Sequence, residues 1–224
     1  MTNALETRDL RKHYEMGDVT VKALEGVDIE VERGDFVSIM GPSGSGKSTL
    51  MHMLGLLDNP TSGRVIIDGT ETGDLSDTIK ARFRLAKIGF IFQFYSLLSG
   101  FSALENTYMP LLMNGTETNE AKERAKEALD KVGLSDRIQH TPSELSGGQR
   151  QRVAIARAIV NEPEIVLADE ATSELDTETS RDIMDTFRNV AESGQTVITV
   201  NHEESLGQEA DRIIWLEDGE IVDR

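Results

Sequence analysis

The nine residues Gly41-Pro42-Ser43-Gly44-Ser45-Gly46-Lys47-Ser48-Thr49 carry the clearest chemistry in the chain. They fit the pattern G-x-x-x-x-G-K-[ST]. Its glycines let backbone N–H groups turn inward around phosphate oxygens with no Cβ in the way. A helix beginning at the end of such a loop points its positive end at the same anion. The pattern predicts that Lys47 reaches the β- and γ-phosphates of a nucleotide and that the Ser48 hydroxyl ligates Mg²⁺. A second acidic stretch, Ile165-Val166-Leu167-Ala168-Asp169-Glu170, reads as a buried strand ending in two carboxylates. Asp169 is expected to hold the metal or its water, and Glu170 to polarise a water for in-line attack on the γ-phosphate. A third stretch, Glu144-Leu145-Ser146-Gly147-Gly148-Gln149, has a hydroxyl and two adjacent glycines but no catalytic partner beside it.

Strands must position the first two groups. Residues 4 to 40 read mostly as strands; residues 21–40 alternate apolar and polar residues around a Glu32-Arg33-Gly34-Asp35 turn, and Phe36 to Met40 is a short apolar run feeding the glycine loop. Lys47 to Leu57 has a helical pattern stopped by Asp58-Asn59-Pro60. Arg64 to Gly69 and Ile88 to Phe92 read as further strands. The middle of the chain is helical. Ser102 to Met113 is a helix that Pro110 should end or kink, Asn119 to Val132 keeps Ala121, Ala125, Ala128, Leu129 and Val132 on one face, and Gln149 to Val160 follows. After Pro163 come the carboxylate strand, a helix from Thr177 to Glu192, a strand Thr196 to His202, and a hairpin through Glu217-Asp218-Gly219. Strands alternating with helices imply a mostly parallel sheet with helices on both faces, with residues 95–160 inserted as a helical unit.

Composition bounds the partners. The formal charge of −17, from 40 acidic and 23 basic residues, repels nucleic acid and anionic lipid. It also suits a salt-rich cytoplasm, where screening relieves self-repulsion. With no cysteine, disulfides and thiolate metal sites are ruled out. No apolar run reaches the roughly 20 residues of a membrane helix, and the N-terminus lacks a signal-peptide core, so the expectation is a cytoplasmic polypeptide.

With the phosphate loop, Glu144–Gln149 and the carboxylate strand in this order, the chain resembles the nucleotide-binding subunit of ATP-binding cassette (ABC) proteins over essentially all 224 residues. The resemblance implies an α/β P-loop NTPase core of ABC type with a mostly parallel sheet, an N-terminal antiparallel β part and an inserted helical subdomain. One domain, 1–224, would comprise a nucleotide-binding core (1–94 and 161–224) and a helical signature subdomain (95–160). It implies ATP and Mg²⁺ as ligands, with Gly41, Ser43, Gly44, Ser45, Gly46, Lys47, Ser48 and Thr49 on the phosphates. It also supplies the missing partner of the third stretch. Two copies pack head to tail, and Ser146, Gly147, Gly148 and Gln149 face the γ-phosphate bound by the other copy. Tyr14 matches the aromatic that stacks on adenine, and Gln93 the glutamine that senses the metal and the attacking water. Residues 173–176 match the loop that contacts the opposite subunit, and His202 the histidine that contacts the γ-phosphate. Ser48, Gln93 and Asp169 form the implied metal set; Glu170, His202 and Gln93 form the catalytic set. The chain departs from the family at Ala171, where proline is usual, at Asn201, where threonine or serine is common, and at Glu174.

Residues 41–69, 88–112 and 210–222 resemble the branch of macrolide exporters, lipoprotein-release ATPases and the cell-division-associated ATPase. The implied function is ATP hydrolysis that powers or gates an integral membrane permease subunit, at the inner face of the membrane. Phe94, Tyr95, Leu97, Leu98 and Phe101 could form a groove for a short helix of that subunit. The alternative is a non-transport ATPase regulating a cell-envelope or division partner. The chain closes soon after its last hairpin, so no regulatory tail is expected.

Overall fold

The computed structural model describes residues 3–224. The first two strands, β1 (Asn3–Met16) and β2 (Val19–Glu32), form a long antiparallel pair, turning at Gly17 with φ 65°. β4 (Ser62–Ile67) joins the other edge of β1, and β5 (Thr70–Glu71) lies outside it, giving the order β2-β1-β4-β5. The second sheet contains β3 (Phe36–Met40), β6 (Ile88–Ile91), β7 (Ile165–Asp169), β8 (Thr196–Val200), β9 (Arg212–Glu217) and β10 (Glu220–Val222). Its order is β10-β9-β3-β8-β7-β6, parallel throughout except for the final β9–β10 hairpin.

Side chains alternate across this sheet and sort into two cores. Val37, Ile39, Leu167, Ile198 and Val200 join the layer filled by α1 (Lys47–Leu54) and the antiparallel sheet. Phe36, Val166, Ala168 and Val197 face the layer of α5 (Gly147–Ile159) and α6 (Thr177–Glu192). That second core runs on without a break into α3 (Ala103–Met113) and α4 (Thr118–Lys131) of the helical middle. On α4, the expected face of Ala121, Ala125, Ala128 and Leu129 is buried, and Gly133 (φ 72°) ends the helix.

α1 and α2 (Asp77–Lys87) differ from the sequence reading. α1 stops at Leu54, because Gly55 closes it and Leu56 turns left-handed (φ 54°), leaving Leu57 exposed. The sequence reading does not pick out α2; only Lys80 is fully buried in it, and Phe83 packs partly buried against the core. α3 runs to Met113 as expected, and Pro110, which was expected to end or kink it, does not end it. Packing offsets the lost N–H bond: Leu104 and Leu111 are buried on either side of the proline, and Ser102 with Glu105 builds a capping box at the start. A four-residue helix α7 (Glu204–Gly207) follows β8.

Candidate functional site

The phosphate loop lies between β3 and α1, and two of its glycines are fixed by close approach. A Cβ on Gly41 would strike the Leu216 carbonyl of β9; one on Gly46, whose φ is 103°, would strike the Ala23 carbonyl of β2. At Gly44 (φ 81°) nothing lies within 4 Å, so this part of the loop is open. Lys47 is buried, and its Nζ donates to the carbonyls of Gly41 (2.9 Å) and Pro42 (2.8 Å), arched over the loop. Burial holds this ammonium below the ordinary lysine value, while Glu170 and Asp169 pull the other way.

A cleft of about 270 Å³ opens over the loop, lined by Ser43, Gly44, Gly46, Lys47, Ser48 and Thr49, with Glu170 and His202 on its far side. Strand register explains that meeting. Asp169 of β7 pairs with Val200 of β8, so the residues after each strand emerge side by side. Glu170 adopts φ 48°, and its Oε1 hydrogen-bonds His202 Nε2. Asn201 fixes the end of β8 from within, donating to Ser38 Oγ (3.1 Å) and Thr199 Oγ1 (2.9 Å). Asp169 is half-buried, and its Oδ1 has no hydrogen-bond partner. Burial raises its pKa, the charge of Glu170 adds to this, and His52, His202 and Lys47 oppose it. Ser45 Oγ is buried beneath the loop, also without a partner.

The remaining predicted residues lie apart from this cleft. Tyr14 on β1 pairs with Val21, which does line it; the Tyr14 hydroxyl donates to Asp58 (3.3 Å), and Lys12 Nζ sits 4.8 Å from the ring centroid. Gln93 follows β6, and its amide makes a long 3.5 Å contact with Glu174, so that unusual residue ties Gln93 to the 173–176 loop. Ser146 caps α5: its Oγ accepts from the Gln149 N–H (3.3 Å), and the Gln149 side chain accepts from the Ser146 N–H (3.0 Å). Gln149 therefore uses its side chain to form the helix tip. A Cβ on Gly148 would meet Thr179 Cγ2, and one on Gly147 would crowd Leu175, so both glycines let the tip pack against residues 175–179. None of residues 146–149 lines the Lys47 cleft. The sequence reading missed Val21, Lys22 and Ala23, which form the cleft's β2 wall and carry no motif.

A phosphate loop, a strand-end carboxylate pair and a separate serine–glycine helix tip on this sheet define a nucleotide-binding cassette. The chain belongs to the ABC transporter family, whose model matches residues 24–173. It is 49% identical over 221 residues to an uncharacterized ABC transporter ATP-binding protein of Thermotoga maritima, covering 99% of this chain and 94% of that one. It is 48% identical to the lipoprotein-releasing system ATP-binding protein LolD of Syntrophus aciditrophicus, over 97% of this chain and 98% of that protein. The macrolide export ATP-binding/permease protein MacB of Bdellovibrio bacteriovorus is also 48% identical; the match covers 97% of this chain but 33% of MacB. Among solved structures, the ATP-binding cassette MJ0796, a dimer in a post-hydrolysis state bound to ADP and Pi, superposes with a TM-score of 0.88 at 42% identity, covering 98% of this chain and 97% of that one.

Proposed function

We propose that this chain binds and hydrolyses ATP with Mg²⁺, and that two copies, packed head to tail, use the cycle to drive or gate an integral membrane permease. One observation carries the reading: the phosphate cleft and the Ser146 helix tip are both well formed, yet lie apart within one copy. A serine-capped helix N-terminus with two glycines is an anion receptor. It becomes useful when a second copy lays it over the terminal phosphate held by Lys47. That the related cassette MJ0796 is a dimer bound to ADP and Pi supports this arrangement.

The site also suits a metal ion. Among the described residues no cluster of three acidic, histidine or cysteine side chains could hold one alone. The unpartnered Asp169 Oδ1 and the cleft-lining Ser48 hydroxyl fit a cation whose remaining ligands are phosphate oxygens and water, the habit of Mg²⁺. When bound, Mg²⁺ would neutralise charge developing on the phosphates. The chain's own residues do the rest. Loop N–H groups and Lys47 orient the triphosphate. Glu170 takes a proton from the water whose oxygen forms a bond to the γ-phosphorus as the bond to the bridging oxygen breaks, and ADP and inorganic phosphate leave. His202 holds Glu170 in place and lies within reach of the γ-phosphate. Tyr14 offers a ring for the adenine, and Gln93 joins the cleft on closure. Loss of the γ-phosphate removes the contact that favours closure, so the pair reopens.

The names of the LolD and MacB relatives support a membrane exporter or lipoprotein-release system. The chain would then act at the inner face of the membrane through its permease, and among the described residues no helix is long and apolar enough to cross it. Residues 95–160 would transmit the motion. The apolar residues after Gln93 divide between two roles. Phe94, Leu98 and Phe101 are exposed, whereas Leu97 packs on the core, so substituting Leu97 would test folding before docking. The test of the whole reading is size: ATP should convert a Glu170→Gln chain from monomer to dimer, and Ser146→Glu should prevent it. A strictly monomeric ATP-loaded Glu170→Gln preparation overturns the proposal.

A further inference from the structure

Two charged side chains outside every motif close on the ring of Tyr14. Lys12 lies two residues before it on β1 and folds over it, with Nζ 4.8 Å from the ring centroid. The same ammonium pairs with Asp58 Oδ2 at 2.7 Å and donates to the Asn59 carbonyl at 2.7 Å. Asp58 Oδ2 also accepts from the Tyr14 hydroxyl at 3.3 Å, so ring, ammonium and carboxylate form a closed set. The Lys12 side chain is only 12% exposed, far less than is usual for a lysine on a hairpin. Its hydrogen bond, more than any other contact, holds the Asp58 carboxyl below the usual aspartate range against partial burial. Asp58 sits just past the end of α1, the helix that Lys47 begins, so one short segment carries the phosphate lysine at its start and a hold on the ring at its end. The backbone does not need this set. Thr61 N–H donates to the Arg11 carbonyl (2.8 Å), and Thr61 Oγ1 accepts from the His13 N–H (2.9 Å), which already sews the loop after α1 to β1.

We propose that Lys12 and Asp58 are positioning residues that fix the Tyr14 ring as a preset platform for the base of the nucleotide. The inference rests on the reading of Tyr14 as the adenine ring and adds how that ring is held. An aromatic side chain on a half-exposed hairpin samples several rotamers, and ordering it when a ligand arrives weakens binding. Here the hydroxyl is tethered to Asp58 at one end, and the ammonium occupies one face. The cation is attracted by the ring's electron-rich face and stays there because Asp58 and the Asn59 carbonyl hold its remaining donors. The other face is left for a flat base. The set touches no residue of the phosphate loop, so its effect belongs to the base end of the nucleotide alone.

ADP and inorganic pyrophosphate, each with Mg²⁺, separate the two ends of the site, because pyrophosphate has no base and ADP lacks the γ-phosphate that would join two copies. In titration calorimetry, Lys12→Met should weaken ADP roughly threefold to tenfold and leave pyrophosphate unchanged. Tyr14→Ala should weaken ADP at least as much. Adding Lys12→Met to Tyr14→Ala should weaken it no further, as expected when one residue acts through the other. Lys12→Arg keeps a cation that can lie over the ring and should restore most of the ADP affinity. Tyr14→Phe removes only the tether to Asp58 and should weaken ADP about twofold, with pyrophosphate again unchanged. Circular dichroism reports whether Lys12→Met folds; if it does not, Tyr14→Phe decides. Wild-type ADP affinity in the deciding variant, an equal loss for pyrophosphate, or a further loss on top of Tyr14→Ala overturns the inference and leaves the ATPase reading intact. A Tyr14→Ala chain that binds ADP as tightly as wild type overturns both the inference and the placing of the adenine on Tyr14.

Discussion

Glu170 Oε1 and His202 Nε2 share a hydrogen bond, although the two residues lie 32 positions apart. The parallel pairing of β7 with β8 brings their strand ends level, and the Glu170 N–H still bonds the Val200 carbonyl at 3.1 Å. Within that constraint Glu170 is held at φ 48°, a conformation that costs a non-glycine residue about 1 kcal/mol or more. The sheet imposes the turn, and the turn aims the carboxylate at the phosphate cleft. Strain of this kind at a cleft fits a side chain whose direction matters more than its comfort.

Glu170→Gln keeps the size of the side chain and its bond to His202 but removes the ability to take a proton. ATP hydrolysis should fall roughly 10²–10⁴-fold, the range of a positioned general base, while ATP affinity is retained. Phosphate release and equilibrium nucleotide binding, measured together, check both halves. Turnover within a factor of a few of wild type would remove Glu170 from its role.

Asp169 gives a pH-dependent expectation. Burial, then the charge of Glu170, raises its folded pKa above the ordinary aspartate value of 3.8. Its contribution to stability is thus complete below that value and lost as pH rises through the folded pKa. Asp169→Asn should therefore be the more stable protein at neutral pH without nucleotide, by about 2–4 °C in Tm, and the gap should close as pH falls toward 4. The same variant should lose Mg²⁺-dependent ATP hydrolysis. Thermal scans from pH 4 to 8 decide it: a wild type that melts above the variant at neutral pH contradicts the desolvation argument.

Local periodicity and glycine placement carried most of the fold. Residues 177–192 form α6 as expected, because Ile183, Met184, Phe187 and Val190 recur on one face between Asp176 and Gly194. The phosphate loop and carboxylate strand were legible because their chemistry requires fixed spacing. What escaped depends on distant packing. Val21 and Ala23 line the cleft only because β2 crosses beside Gly46. α2 packs only partly buried, through Phe83 against the core and through polar contacts such as Lys80 to Asn59 (2.5 Å), so its burial is set by neighbours distant in sequence. The role of Ser146 was legible from the sequence only through resemblance, since its proposed partner is a second chain.

Gly148 offers a paired test of the helix tip. A Cβ there meets Thr179 Cγ2, so Gly148→Ala should push α5 away from residues 175–179 and impair ATP-driven dimerisation. Thr179→Ser deletes that methyl group while a hydroxyl remains to bond Asp176, as Thr179 Oγ1 does at 2.7 Å. The double variant should recover dimerisation, and it should match or exceed wild-type stability, because alanine favours a helix over glycine by about 1 kcal/mol. Analytical ultracentrifugation of the single and double variants in the Glu170→Gln background reads the effect. No recovery in the double variant would mean that Gly148 is needed for more than room.

Salt should act on this protein in two opposed ways, with different ranges. The net charge of −17 is a diffuse repulsion, which about 0.1–1 M KCl screens as the Debye length falls from roughly 10 to 3 Å. Against it stands a ring of four groups joining the two sheets: Lys87 bonds Asp68 (2.8 Å) and Glu164 (2.9 Å), and Arg33 pairs with the same two acids. These contacts are as short as the screening length at 1 M, so repulsion is lost first, and Tm should rise with KCl. Lys87, then Arg33, holds the Asp68 carboxyl below the usual aspartate value despite partial burial. Its stabilisation is present above the ordinary value and lost as pH falls through the folded one. With Asp68 31% and Lys87 34% exposed, Asp68→Asn should cost about 1 kcal/mol at pH 7, and the difference should vanish in strong acid. A Tm that stays flat or falls as KCl is added would refute the repulsion argument. A variant that melts with wild type at pH 7 would show that the ring holds nothing together.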